Sequence, residues 1–191
     1  MDLTAFYDHE FDEHEAIVRA TRDAVSVSFA ALCGAAQNAL SAGNKIVFFG
    51  NGGSAADSQH LATELVVRYK TNRAPLAAIA LTTDSSLLTA AANDFGQDTI
   101  FECQIRALGK PGDLAVGITT SGTSANVVRA LQAARETGMV AAALTGRGGG
   151  DLPRLADPLV MVPSTTIARI QEMHIMIGHM LCDVLEQTCG R

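Results

Sequence analysis

Within the first forty residues, Val25, Phe29, Leu32, Ala36 and Leu40 recur at spacings of three and four. That period belongs to an amphipathic helix, and Gly43 offers its stop, since glycine readily takes the conformation that ends helices. From Lys45 the pattern changes. Lys45-Ile46-Val47-Phe48-Phe49 is a short run rich in β-branched and aromatic residues, which predicts a buried strand. Similar runs recur at Ala77 to Leu81, Leu114 to Thr119, Val140 to Thr145 and Leu159 to Val162. Helical stretches lie between them: onward from Ser54, Ser85 to Ala92, Gln97 to Leu108, and Ala125 to Thr137. Asn93-Asp94-Phe95-Gly96 reads as a break, Gly146 to Asp151 as a flexible connection, and a long helix runs from about Thr166 to Gln187.

The strands are apolar throughout rather than alternating, which implies a parallel sheet covered on both faces. The expected fold is α/β: a single-domain three-layer αβα sandwich, a five-stranded parallel sheet with flanking helices. A chain of 191 residues suits one such domain. In these sheets ligands bind beyond the carboxyl ends of the strands, which draws attention to two turns. The first is Gly50-Asn51-Gly52-Gly53-Ser54. Its glycines put no Cβ between the amides and a ligand. Ser54 sits where an N-cap belongs, so free N–H groups and the positive end of a helix dipole face the turn and suit an anion. The second turn, Thr119-Thr120-Ser121-Gly122-Thr123-Ser124, carries five hydroxyls in six residues. One capping residue needs one hydroxyl, so the surplus favours a neutral phosphate site over a plain capped turn.

Composition removes several function classes. The net charge is −6 with no basic stripe, which argues against nucleic acid. The N-terminus is acidic and unlike a secretory signal, and no apolar run reads as long enough to span a membrane. Cys33, Cys103, Cys182 and Cys189 are scattered without a C-x-x-C pair, as expected of reduced thiols in a cytoplasmic protein. No G-x-x-x-x-G-K-[ST] sequence is present, which disfavours a nucleoside triphosphatase. Gly50-x-Gly52-x-x-Ala55 satisfies a loose dinucleotide fingerprint, but Leu81 is followed by Thr82 and Thr83 where an acidic residue should end the second strand.

His60 and Glu64 are one helical turn apart and share a face. Alone they would read as a polar surface. The last helix changes that, because it is apolar enough to be buried yet carries Gln171, His174 and His179. His60, Glu64 and His179 can supply nitrogen and oxygen ligands to zinc, or they can move protons. His174 points away from His179 around the helix and reads as a satisfied core histidine.

With these motifs in view, the chain resembles the phosphoheptose isomerases (sedoheptulose 7-phosphate isomerases) of the sugar isomerase, or SIS, domain class. The resemblance rests on Gly50-Asn51-Gly52-Gly53-Ser54, His60-x-x-x-Glu64, Asn93-Asp94-Phe95-Gly96, Thr120-Ser121-Gly122-x-Ser124 and Arg169-Ile170-Gln171-Glu172-x-His174. It implies one SIS domain over residues 1–191 and conversion of sedoheptulose 7-phosphate to D-glycero-D-manno-heptose 7-phosphate through an enediol or enediolate. It places Asn51, Gly52, Gly53, Ser54, Glu64, Asn93, Asp94, Thr119, Thr120, Ser121, Ser124 and Gln171 around the sugar phosphate. By the same resemblance Glu64 and His179 are the acid/base pair, and His60, Glu64, Gln171 and His179 hold one Zn2+ per subunit. A homotetramer is implied too, with N-terminal helices (about 1–42) and the C-terminal helix (about 166–188) at its core. The rival reading is a non-catalytic SIS protein, a regulator or a scaffold for a replication initiator, which needs no proton-transfer pair. Some family members have an acidic residue where this chain has Ala168. Thr119 and Thr123 replace residues often serine and asparagine in the family.

Overall fold

The computed structural model describes residues 1–190. One 39-residue helix, α1 (Leu3–Ser41), forms the whole N-terminal segment, where several helices were expected. Asp2 caps it through bonds to the N–H groups of Thr4 and Ala5. The rest alternates strand and helix: β1 (Ile46–Gly50), α2 (Gly53–Val66), β2 (Ala78–Ala80), α3 (Ser85–Phe95), α4 (Glu102–Leu108), β3 (Leu114–Thr119), α5 (Ala125–Glu136), β4 (Val140–Thr145), β5 (Leu159–Met161) and α6 (Ile167–Cys189). All five strands are parallel, in the order β2-β1-β3-β4-β5. The predicted αβα sandwich is therefore the observed one.

Strand periodicity divides the core between two faces. Ile46, Phe48, Leu114, Val116 and Ile118 pack under α1, α2 and α6. Val47, Phe49 and Ala115 pack under α4 and α5. Gly117 lets α5 close on that second face, since a Cβ there would stand 2.9 Å from Val127. On the first face Gly178 similarly lets α6 settle on Leu61 of α2, where a Cβ would meet the leucine at 2.6 Å.

Three local expectations are revised. Asn93 and Asp94 lie inside α3, which ends only at Gly96, where a φ of 94° favours glycine. The stretch 97–108 is a 3₁₀ turn, Gln97–Thr99, followed by the short α4. Finally, α1 is long enough, and over one 18-residue window apolar enough, to cross a membrane by length and composition. Part of its apolar stripe is spent inside the fold, with Val25, Leu32, Cys33, Ala36 and Ala39 buried in the α1–α6 core. The buried Arg169 of α6 ties the two helices further, donating to the Glu10 carbonyl at 2.6 Å and the Glu10 carboxylate at 3.2 Å.

Candidate active site

The strand order reverses between β1 and β3, with β2 outside one and β4 and β5 outside the other. A crevice opens at such a switch point beyond the carboxyl ends of the strands. Both turns singled out in the sequence flank it. Gly50 ends β1 where a Cβ would lie 2.6 Å from the Ile118 carbonyl, so the chain turns flush against β3. Gly52, with φ 55°, is the N-cap of α2. Ser54 is accordingly not the cap: it is buried within the first helical turn. The amides of Ser54 and Ala55 fold back on the carbonyls of Asn51 and Gly52. Among the described residues no backbone acceptor meets the Gly52 and Gly53 N–H groups, which leaves them for an anion.

The second turn is locked to the first. Asn51 and Asn126 exchange two amide bonds of 2.9 and 2.8 Å across the crevice. The Asn51 side chain, expected on substrate, is thus engaged in joining the two turns. Asn126, near the start of α5, had no sequence signal of its own. In the hydroxyl loop the Thr119 hydroxyl pairs with that of Ser124 at 3.0 Å, and Ser121 accepts from Thr123 N–H at 3.2 Å. Ser124 is the N-cap of α5 by position, yet its side chain makes no cap bond. Gly146 to Asp151, expected to be flexible, packs against this loop backbone to backbone. The Asp151 N–H donates to the Gly122 carbonyl, and a Cβ on Gly122 would lie 2.1 Å from the Gly149 carbonyl oxygen. Such closeness is open to glycine alone.

The side chain of Gln171 rests on Gly53, where a Cβ would stand 2.6 Å from Nε2. His179 is eight residues further along the unbroken α6, a rise of about 12 Å. There it meets the middle of α2. His60 Nε2 and His179 Nε2 are 2.8 Å apart, with rings at 69°, and His60 Nε2 is 3.5 Å from Glu64 Oε1. The structure thus brings His60, Glu64 and His179 together and leaves Gln171 at the other end. Asn93 and Asp94 are exposed and bonded to each other at 2.8 Å.

Two further residues attend the histidines. Tyr69 stacks on His179 with centroids 5.6 Å apart at 27°. Asp57, one turn ahead of His60, is half-buried. Burial pushes its carboxyl pKa up, and the nearby His60 and His179 draw it back. The i, i+3 spacing of Asp57 and His60 was a usable sequence signal. Tyr69 offered none. His174 is fully buried, and among the described residues neither ring nitrogen has a hydrogen-bond partner of good geometry. It is not the satisfied histidine expected. Burial lowers its pKa to about 4, with the Thr145 backbone opposing weakly.

Among the described residues no three His, Cys, Asp or Glu side chains already surround a common point as a ligand set would. The two Nε2 atoms touch each other instead. On one tetrahedral zinc, with bonds of about 2 Å, they would stand about 3.3 Å apart. The rings need to part by only about half an ångström, and two imidazoles with a carboxylate are donors that zinc accepts.

The profile of the SIS domain family matches residues 11–146. The chain is 58% identical over 190 residues to the phosphoheptose isomerase of Paramagnetospirillum magneticum, covering all of this chain and 99% of that one. It is 54% identical over 161 residues to the phosphoheptose isomerase of Aquifex aeolicus, or 84% of each chain. The solved phosphoheptose isomerase of Neisseria gonorrhoeae superimposes with a TM-score of 0.91 at 41% identity, over 97% of this chain and 99% of that one. That of Francisella tularensis gives 0.94 at 36% identity, over 98% and 100%. The chain belongs to the SIS domain family and, within it, to the phosphoheptose isomerases.

Proposed function

We propose that the crevice converts sedoheptulose 7-phosphate to D-glycero-D-manno-heptose 7-phosphate, an aldose–ketose isomerisation that opens activated-heptose biosynthesis. The observation that carries this reading is the distance along α2 between an anion cradle and the near edge of the cluster in which His60 meets Glu64 and His179. His60 stands seven residues beyond Gly53, a rise of about 10 Å. From standard bond lengths, a seven-carbon chain with a terminal phosphate spans on the order of 10 Å. The phosphate sits on the Gly52 and Gly53 amides and the hydroxyls of Thr119, Thr120, Ser121 and Ser124, and the sugar lies along the helix with C1 and C2 toward Glu64. Glu64 takes the proton from C1 and returns it to C2, while His179 exchanges protons with the two oxygens. A non-catalytic SIS protein would have no need of that pair.

Zinc, one per subunit, belongs to the same proposal, with His60, Glu64 and His179 as its protein donors. When bound, it would polarise the carbonyl and stabilise enediolate charge. Because Gln171 lies about 12 Å along α6 from His179, it joins the set only across a boundary between chains. This favours a homotetramer whose sites are shared. A broad cleft between α1 and the β5 edge exposes Val27, Ala31, Pro153, Met161 and Pro163 away from the chemistry, and is the surface we assign to a second copy. The free state of all four cysteines supports a cytoplasmic location.

The test is incubation of the zinc-loaded protein with sedoheptulose 7-phosphate, followed by NMR. Aldoheptose signals are expected. A folded, metal-loaded protein that leaves the ketose unchanged refutes the reading.

A further inference from the structure

Beyond α2, the chain returns to β2 through residues 67–77, and this segment is strapped to the end of α6. Glu186 lies seven residues past His179, on the same side of the helix. Its carboxylate spans three consecutive backbone donors: Oε2 accepts from Tyr69 N–H at 2.9 Å, and Oε1 from Lys70 at 3.0 Å and Thr71 at 2.8 Å. Burial pushes this carboxyl pKa up, but the N–H groups of Tyr69, Thr71 and Lys70 outweigh it and hold it near 2. Arg73, whose side chain is 2% exposed, lies beside Glu186 with Nε 3.4 Å from Oε2. Its Nη2 donates to the Glu64 carbonyl at 2.7 Å, and its Nη1 to that of Ala74 at 2.9 Å.

The strap therefore touches both members of the proton-transfer pair. Arg73 grips the backbone of Glu64, and Tyr69 lays its ring on His179. The imidazole is thus held between the flat face of Tyr69 and the edge of His60. We infer that residues 69–73, anchored by Glu186, are a positioning element that fixes the His179 ring through Tyr69 and the Glu64 backbone through Arg73. This rests on Glu64 and His179 being the reacting pair. Proton transfer needs heavy atoms within hydrogen-bond reach, so a ring free to turn about its Cβ–Cγ bond spends less time aimed at the substrate oxygen. The stack restricts that rotation with an aromatic face, and the Tyr69 hydroxyl plays no part.

The half-buried Tyr69 makes the test, since its replacement leaves the Glu186–Arg73 anchor intact. In the zinc-loaded full chain, Tyr69→Leu should lower kcat about tenfold, a modest misalignment effect, with KM within about twofold of wild type. Tyr69→Phe should restore kcat to within about twofold. A Tyr69→Leu kcat within twofold of wild type overturns the inference, as does a change in KM alone, or a Phe variant as slow as the Leu variant. His179→Ala in the same assay separates the two claims. If it turns over normally, the acid/base reading has failed. If it is inactive while Tyr69→Leu is unaffected, only the positioning role has failed.

Discussion

The two ends of α2 do different work with different materials. Its N-terminal end meets the crevice with main chain, hydroxyls and amides, and its rigidity comes from close approach: Asn51 on Asn126, Gly122 on Gly149, Gln171 on Gly53. Farther along, the helix presents His60 and Glu64 to His179, the cluster we propose for proton transfer, with Tyr69, Arg73 and Glu186 packed behind it. On the proposed function, the first end would hold an anion without a countercharge that has to be neutralised when product leaves. The second needs groups that gain and lose protons, and such groups are usable only when aimed. Damage to one end should therefore appear in binding, and damage to the other in turnover.

The sharpest break in that division is Glu64→Gln. The amide keeps the shape but cannot accept a proton, so kcat should fall by on the order of 10²–10⁴-fold, with KM changed little. Steady-state kinetics on the folded variant checks this, and near wild-type kcat would remove Glu64 as the base. Next in size is Gly122→Ala. Its φ of 71° and the Gly149 carbonyl 2.1 Å from the new Cβ leave nowhere for a methyl group to go. The strain alone costs roughly 1–3 kcal/mol, and the hydroxyl loop has to move, so both thermal stability and KM should suffer. Gly53→Ala is the control: its Cβ meets only the tip of the Gln171 side chain, which can swing away, so stability should change by less than about 1 kcal/mol. If the two alanine variants behave alike, backbone closeness is not what holds the loops.

Smaller again are Ser121→Ala and Ser124→Ala. Each should weaken substrate binding by roughly 1–3 kcal/mol, the range for a hydrogen bond to a charged group. Ser124 should be the cleaner probe, because Ser121 also braces Thr123. An unchanged KM in both variants moves the phosphate elsewhere.

The two ends also differ in how far the sequence revealed them. Strands and their order of appearance were legible because apolar runs such as Ile46 to Phe49 and Leu114 to Ile118 are buried on both faces, and burial writes itself into composition. The His60–Glu64 pair was legible because helical spacing is local. Contacts between distant segments were not. Gly146 to Asp151 reads as flexible from glycine content alone, and only its seat on Gly122, more than twenty residues earlier, makes it ordered. Ser54 has the chemistry of a cap, but the positive φ of Gly52 starts the helix sooner and turns the serine inward. Gln171 and His179 share a motif-bearing helix, yet helical rise keeps them about 12 Å apart, a separation that a motif written along one chain does not display.

The smallest effect at neutral pH is expected at His174, on α6 between the two ends. A buried imidazole with no hydrogen-bond partner of good geometry among the described residues is tolerated only while neutral. Its folded pKa, near 4, lies below the ordinary 6.5. The unfolded chain therefore binds the proton first as pH falls, and stability drops with pH wherever the unfolded state holds more protons. The contribution is fully present above about pH 6.5 and is lost progressively down to about pH 4, amounting to about 3 kcal/mol over that window. His174→Leu removes the titrating group and two unpaired nitrogens while keeping a similar volume, so stability at pH 7 should stay within about 1.5 kcal/mol of wild type. Between pH 6.5 and 4.5 the variant should hold its stability where the wild type declines. Below about pH 4.5 both should weaken together, because protonating Glu186 releases the strap in either protein. Denaturant titrations at pH 7, 5.5 and 4.5 read the difference directly. Parallel curves for the two proteins across that range would show that His174 is not what makes the fold acid-sensitive, leaving the carboxylates to account for it.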